Sequence, residues 1–153
     1  MKVLFPRILL SSLRGETNRI AGKYEIGGVL LGSRRNLDLE IKVATYPSEG
    51  DRSSKFRFER RSKQHQIITT KMWKSSDMTI DWVGEWHTHP EKTPSPSSID
   101  INSWRKLVKR HGSSMAFIIL GYEDVWIGTL DIESQSLKQI FQREKTEDYF
   151  LYC

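Results

Sequence analysis

Two histidines one residue apart, followed downstream by an aspartate, constrain this fold more than any other feature of the sequence. His87 and His89 flank Thr88, and Asp100 follows a short polar loop. Because successive side chains of a strand point to opposite faces, two such histidines on a strand share one face. Two imidazoles on one face can hold one metal ion at about 2.0–2.1 Å, and a carboxylate can supply a third ligand. To bind one ion, the chain would have to fold so that His87, His89 and Asp100 meet around one point.

This ligand set predicts a catalytic zinc ion. Three protein ligands leave one position of a tetrahedral zinc ion open, where a water molecule binds and reacts. Zinc lowers the pKa of that water to about 7, which suits the hydrolysis of an amide. Amide hydrolysis also needs a proton carrier and a hydrogen-bond donor for the oxyanion. The hydroxyl of Ser97 is our candidate for that donor.

The same residues have plainer interpretations. The two histidines can form a surface pair that binds nothing. Ser97 can cap the helix that follows it, with Ser98 as a rival cap. Asp100 lies in the first turn predicted for that helix, where the helix dipole favours a carboxylate without any metal.

Two glutamates are candidates for the proton carrier. Glu85 shares the strand face of the histidines, although its place along the strand can direct it away from the open side of the metal. Glu25 opens a different apolar strand, where a charge has no packing reason to lie. Spacing alone leaves the choice between them open.

Hydrophobic periodicity and turn residues predict an α/β protein of the α+β kind, with helices around a mixed, mainly antiparallel sheet. We predict strands over residues 3–5, 25–32, 37–43, 56–58, 79–89, 114–121, 125–132 and 137–141, and helices over residues 7–21, 62–75 and 98–110. Residues 48–54 are predicted to form a polar loop. We expect the middle helix to bury Ile67, Ile68, Met72 and Trp73. For His65 we expect a position in solvent or behind the metal ligands.

Composition sets the broad class of the protein. A length of 153 residues predicts one domain over residues 1–153. The single cysteine, Cys153, fits a reducing compartment. We identify no signal peptide, and the longest apolar run is far shorter than the ~20 residues of a membrane helix. These features favour a cytoplasmic protein without a membrane partner.

Residues 52–63 form a basic segment. Phe56 and Phe58 are interleaved with six cationic residues, which are Arg52, Lys55, Arg57, Arg60, Arg61 and Lys63. One interpretation is a surface for nucleic acid or another acidic partner, in keeping with a net charge of +5. The interpretation we favour is a solvated edge strand, whose charges prevent pairing between sheet edges. In either case the segment lies between the two candidate catalytic strands in sequence and can line a substrate groove.

The run His87-Thr88-His89-Pro90, with Ser97 and Asp100 after a seven-residue gap, resembles the JAMM (MPN) metalloproteases. The similarity extends over about residues 7–130 and includes an upstream glutamate in Tyr24-Glu25-Ile26-Gly27-Gly28. The resemblance implies the JAMM/MPN fold, which is cytidine-deaminase-like. It also implies that one zinc ion is bound by His87, His89 and Asp100, that Glu25 rather than Glu85 is the general acid and base, and that Ser97 steadies the oxyanion.

A narrower resemblance suggests a substrate. Residues 84–91, together with residues 53–58 and His65-Gln66, look like the small bacterial JAMM proteins of CBASS antiphage operons, which are similar to deubiquitinases. This implies a zinc-dependent isopeptidase that cuts the bond between the C-terminus of a CD-NTase, a cyclic-nucleotide-synthesising enzyme, and its target. The expected partner is a protein with an extended C-terminal tail, either a CD-NTase or a ubiquitin-like conjugate.

Two alternatives belong to other functional classes. The RadC family, whose members are DNA-associated, has a similar run, and Thr93-Pro94-Ser95-Pro96-Ser97 is similar to it. The basic segment fits that reading, although the sequence has no separate helical DNA-binding unit. The other alternative is a JAMM scaffold without catalytic activity. Such scaffolds usually lack metal ligands, and this chain has a complete candidate set.

Overall fold

The computed structural model describes residues 1–20 and 23–153. Its helices are α1 (Arg7–Ile20), α2 (Lys63–Ser75) and α3 (Ser98–His111). Its strands are β1 (Val3–Pro6), β2 (Gly27–Arg35), β3 (Asp38–Ala44), β4 (Arg52–Ser54), β5 (Arg57–Glu59), β6 (Asp81–Thr88), β7 (Met115–Leu120), β8 (Val125–Leu130), β9 (Leu137–Gln139), β10 (Gln142–Lys145) and β11 (Tyr149–Tyr152). In these ranges no helix is long and apolar enough to cross a membrane.

One large sheet organises the described residues. Its strands follow the order β10-β11-β1-β3-β2-β6-β7-β8-β9. The pairs β1–β3 and β6–β7 are parallel, whereas the other neighbours are antiparallel. The predicted mixed, mainly antiparallel sheet is therefore confirmed. Strands β2 and β6 are neighbours in the middle of the sheet, so the segments that carry the two candidate glutamates and the histidines lie side by side.

Helices cover both faces of this sheet. Successive strand residues point to opposite faces, so neighbouring residues of one strand pack against different helices. Leu30 of β2 packs in one core cluster with Leu13 of α1. Val29, its neighbour in sequence, packs in a second cluster with Trp104 of α3. This layering places the first turn of α3 on one face of the sheet, beside the end of β6.

Most predicted elements are present with small shifts of their ends. The strands predicted over residues 25–32 and 37–43 are present as β2 and β3, which form a hairpin whose turn includes Asn36 with a φ of 58°. Helix α1 matches the helix predicted over residues 7–21, except that Ala21 lies outside the described residues. Helix α3 extends one residue beyond its predicted end, to His111.

The buried face of α2 differs from the predicted one. Ile67 is 55% exposed, and Ile68 and Trp73 are 37% and 38% exposed. The buried residues of this helix are His65 and Thr69. The expectation that His65 faces solvent is therefore wrong, because both of its ring nitrogens lie within hydrogen-bond distance of protein atoms. Hydrophobic periodicity cannot detect a polar residue that is buried in this way.

The basic segment differs from its prediction as well. Strands β4 and β5 pair with each other in an antiparallel hairpin that forms a separate two-stranded sheet, so they are not an edge of the large sheet. The polar loop predicted over residues 48–54 contains β4. Strands β10 and β11 at the far edge of the large sheet were not predicted, and the residues of β10 are all exposed. Each strand has only four residues, which is too short for a clear alternating pattern, and β10 has no buried face.

Two glycine substitutions test this packing. Gly84 of β6 lies opposite Ala116 of β7, and a Cβ at Gly84 would overlap the carbonyl oxygen of Ala116. We expect Gly84→Ala to lower the free energy of unfolding by about 1–3 kcal/mol.

Gly15 of α1 has no neighbouring atom within 4 Å of an added Cβ. We expect Gly15→Ala to raise the free energy of unfolding by about 0.5–1 kcal/mol, because alanine favours the helix.

Urea unfolding of both variants and the wild type measures these differences. Equal stability of Gly84→Ala and the wild type would contradict the close approach of β6 to β7.

Candidate metal centre

Three potential metal ligands converge at the end of β6. His87 is in the strand, His89 follows it directly, and Asp100 comes from the first turn of α3. The Nε2 atoms of His87 and His89 are 3.0 Å apart. Oδ1 of Asp100 lies 3.3 Å from Nε2 of His87, and Oδ2 lies 3.3 Å from Nε2 of His89. The structure therefore brings together the three residues that the sequence predicts as ligands.

These distances fit a shared cation. Bonds of about 2.0–2.2 Å in a tetrahedral site place neighbouring ligand atoms about 3.3–3.5 Å apart, close to the separations seen here. Both histidines are buried, and their Nε2 atoms face each other and the carboxylate. A metal ion at the centre would satisfy all three electron-pair donors at once, which a single shared proton cannot do. The donor set of two nitrogens and one oxygen is therefore suited to holding a metal.

The strand pairing explains the orientation of the histidines. His87 lies opposite Gly27 of β2, where a Cβ would come within 2.9 Å of the His87 Cβ. The backbone N–H of His89 donates to the carbonyl of Leu120 at 3.0 Å and so extends the parallel pairing of β6 with β7. Trp86 points into the core on the opposite face, as expected from strand alternation. Backbone pairing on both sides thus fixes where the imidazoles point.

Asp100 belongs to a capping box at the start of α3. The Ser97 hydroxyl donates to Oδ2 of Asp100 at 2.6 Å and accepts the backbone N–H of Asp100 at 3.2 Å. The backbone N–H of Ser97 donates to the same Oδ2 at 2.7 Å. The capping interpretation of both residues therefore describes the structure correctly. It is compatible with metal binding, because it holds the carboxylate towards the histidines.

Charge and burial oppose each other at Asp100. Burial alone would raise the pKa of this carboxyl, but hydrogen bonds and charge from His87 and His89 hold the pKa well below its usual range. A carboxylate that stays ionised in a half-buried position is suited to a cation.

Glu25 lies beside this cluster, two residues before β2. Its Oε1 is 3.9 Å from Nε2 of His89, and its side chain is almost fully buried. Two hydrogen bonds between Ile26 and Thr88, of 2.8 and 3.0 Å, hold the adjoining backbone against the end of β6. Burial raises the pKa of the Glu25 carboxyl, and the nearby histidines reduce this effect. A raised pKa brings a carboxyl closer to the pH at which it can both take and give a proton.

Glu85, the other candidate glutamate, has a different partner. Nη2 of Arg60 donates to Oε1 of Glu85 at 2.8 Å, and the guanidinium of Arg60 lies 4.2 Å from the centre of the Trp82 ring. The Glu85 carboxylate is thus used to join the segment after β5 to β6. Of the two glutamates, Glu25 has the closer approach to the ligands.

A cleft of about 930 Å³ opens at the metal ligands. The β4–β5 hairpin lines one side of it, so the expectation that the basic segment lines a groove is confirmed. Sequence analysis missed Ile99 and Tyr122, which also line the cleft and are 57% and 48% exposed. Ile99 adjoins Asp100 in sequence, and an apolar residue beside a predicted ligand is a signal that could have identified it.

Comparisons with known proteins give the family. The family model of prokaryotic homologs of the JAB domain matches residues 10–133. A relative from Vibrio cholerae is 38% identical over 71% of this chain and 69% of its own length. One from Pseudomonas aeruginosa is 37% identical over 67% and 65% of the two chains, and one from Escherichia coli is 38% identical over 68% and 66%. Each of these three relatives is named a CD-NTase/cGAS isopeptidase.

Two solution structures share the fold at low sequence identity. A protein from Desulfitobacterium hafniense is 16% identical with a TM-score of 0.60, and covers 92% of each chain. A protein from Salinibacter ruber is 18% identical with a TM-score of 0.57, and covers 97% of this chain and 94% of its own. The likeness is consistent with one fold over nearly all of the sequence. By the family match and the identity to its relatives, this chain belongs to the prokaryotic homologs of the JAB domain.

Proposed function

We propose that this chain is a zinc-dependent isopeptidase that removes a conjugated protein from its target in the CBASS antiphage defence of the bacterial cytoplasm. The conjugated protein is a CD-NTase, held to its target through its C-terminus. The names of the relatives support a hydrolase of this class. The observation that carries the proposal is the meeting of Glu25, Ser97 and the three ligands at one cleft.

Zinc is the metal we propose for His87, His89 and Asp100. Two imidazoles and one carboxylate are a ligand set typical of catalytic zinc, which keeps its fourth position open. When bound, zinc would lower the pKa of a water molecule to about 7 and polarise the carbonyl of the scissile amide. The three side chains supply a fixed frame for this chemistry, because strand pairing and the capping box orient them.

Glu25 is the residue we propose for proton transfer. Hydrolysis breaks the C–N bond, adds the water oxygen to the carbonyl carbon and leaves a carboxylic acid and an amine. The Glu25 carboxylate takes a proton from the attacking water and delivers it to the leaving nitrogen. Its position 3.9 Å from Nε2 of His89 and its raised pKa both suit this role.

Ser97 is the residue we propose as the oxyanion donor. Its hydroxyl has one hydrogen, which is donated to Oδ2 of Asp100 in this structure. During the reaction the same hydrogen would turn to the oxyanion, while the backbone N–H of Ser97 continues to hold Asp100. The hydroxyl oxygen can still accept the N–H of Asp100 and cap α3.

The cleft supports a protein tail as the substrate. The turn of the β4–β5 hairpin and β5 line it. We propose that an extended segment pairs with β5, a mode of peptide binding that depends on main-chain hydrogen bonds. Arg57 and Arg61 of this region pair with Glu59, and Arg60 pairs with Glu85. Because these cations already have acidic partners, we propose a protein rather than a nucleic acid as the partner.

The base is tested by Glu25→Gln. We expect this variant to lower kcat for a CD-NTase conjugate by about 10²–10⁴-fold, because glutamine cannot carry the proton. Zinc content should stay at one ion per chain, since Glu25 lies outside the ligand set. Glu85→Gln is the matched control and should keep most of the activity, because glutamine can still accept a hydrogen bond from Arg60. The rate comes from a gel-based cleavage assay and the zinc content from elemental analysis.

Full activity of Glu25→Gln would overturn the assignment of the base. Less than one zinc ion per chain in wild-type protein that was stripped and reloaded would instead favour the scaffold without catalytic activity.

The oxyanion role is tested by Ser97→Gly. Glycine at an N-cap costs only a few tenths of a kcal/mol relative to serine, so α3 should remain folded. Loss of the hydroxyl should lower kcat by about 10²–10³-fold with little change in melting temperature. Unchanged kcat in this variant would assign Ser97 to the helix cap alone.

A further inference from the structure

A second buried polar cluster lies outside the metal centre, around Asp51. Oδ1 of Asp51 accepts the backbone N–H groups of Arg61 and Ser62, each at 2.8 Å. Oδ2 accepts the backbone N–H of Ser48 at 3.0 Å and lies 2.7 Å from Nε2 of His65. The Asp51 side chain is only 3% exposed. One carboxylate thus accepts three backbone N–H groups from two segments and also contacts helix α2.

This cluster closes the base of the β4–β5 hairpin. Asp51 directly precedes β4, while Arg61 and Ser62 follow β5. The hairpin in turn holds the backbone of Glu25, whose N–H donates to the carbonyl of Ser54 at 2.8 Å. A displacement of the hairpin base would therefore be transmitted to the proposed proton carrier.

A second route joins Asp51 to the other side of Glu25. His65 is 1% exposed, and its Nδ1 lies 2.6 Å from Oγ1 of Thr45. That oxygen accepts the backbone N–H of Val29 in β2 at 2.8 Å. A neutral imidazole satisfies both contacts, since it donates at one nitrogen and accepts at the other. This route from Asp51 through His65 and Thr45 thus ends at Val29, four residues after Glu25.

The same threonine also contacts the strand of the histidines. Nε1 of Trp86 donates to the carbonyl of Thr45 at 2.9 Å, and Trp86 directly precedes His87. The cluster therefore contacts both central strands of the sheet.

Charge supports a fixed arrangement of the cluster. Burial would raise the pKa of Asp51, but hydrogen bonds from Ser62, His65 and Ser48 bring it below its ordinary value. The carboxylate stays ionised at neutral pH, where it accepts hydrogen bonds most strongly.

We propose that Asp51 is a positioning residue for the amide hydrolysis proposed above, acting on Glu25 through the hairpin and through His65 and Thr45. This inference rests on the proposed function. Metal binding does not depend on the Asp51 cluster, because the proposed ligands are held by β6 and α3. A misplacement of a reacting group by about 1 Å can cost about 10²-fold in rate.

Asp51→Asn is the test. The amide places a donor where the carboxylate accepts, so the cluster should open while the side-chain size is kept. We expect kcat to fall about 10- to 100-fold with one zinc ion still bound and with a smaller change in KM.

The matched control is Asp131→Asn. Asp131 accepts the N–H and the hydroxyl of Ser134, each at 2.8 Å, and follows β8 at the end of the sheet opposite the metal centre. Rates are measured well below the melting temperatures of both variants. A purely structural role predicts that Asp51→Asn and Asp131→Asn lose stability but keep the wild-type kcat. That outcome would overturn the proposal.

Two substitutions of Thr45 test the second route. They also provide a test if Asp51→Asn does not fold. Thr45→Val removes the hydroxyl and keeps the shape, so kcat should fall. Thr45→Ser keeps the hydroxyl and should retain nearly the wild-type kcat. Equal kcat in the valine and serine variants would overturn this part of the proposal.

Hydrogen exchange separates this inference from the proposed function. In Asp51→Asn, the amides of residues 52–60 and of Glu25 should exchange at least about tenfold faster than in the wild type, while α3 is unchanged. If the wild type cleaves no conjugate, the proposed function fails, and the exchange result alone decides whether Asp51 positions Glu25. Unchanged protection of these amides would overturn the positioning role whatever the activity.

Discussion

The antiparallel pairing of β2 with β6 is the constraint on which the metal centre depends. Gly27 lies opposite His87, and the lack of a side chain at Gly27 allows the two backbones to approach closely. The backbone hydrogen bond from Thr88 to Ile26 continues this pairing to the end of β6. It brings Glu25, from a distant part of the sequence, to within 3.9 Å of His89. Without this register the proposed proton carrier would not lie beside the proposed ligands.

A second feature is that Asp100 makes two sets of contacts in one conformation. It completes the capping box of α3 and faces both histidines. The hydrogen bonds from Ser97 hold the carboxylate in place before any metal binds. Preorganisation of this kind reduces the entropy that a ligand set loses on metal binding. The helix cap therefore positions the carboxylate that we propose as a metal ligand.

Local sequence patterns predicted which three residues converge at the candidate metal centre, whereas the features they did not predict depend on contacts between distant segments. Strand alternation placed His87 and His89 together, and the Ser-x-x-Asp spacing placed Asp100 in the first helical turn. The choice between Glu25 and Glu85 could not follow from spacing, because it depends on the pairing of β2 with β6 and on Arg60. The burial of His65 had no hydrophobic signal, since its contacts with Asp51 and Thr45 come from distant segments.

We propose that the isopeptidase activity depends on one zinc ion held by His87, His89 and Asp100. The most direct test is to titrate the metal-free protein with zinc while measuring the cleavage of a CD-NTase conjugate. We expect no cleavage without metal and a rate that rises linearly and reaches its plateau at one zinc ion per chain. Cleavage at the full rate by the metal-free protein, or none with one zinc ion bound, would contradict this proposal.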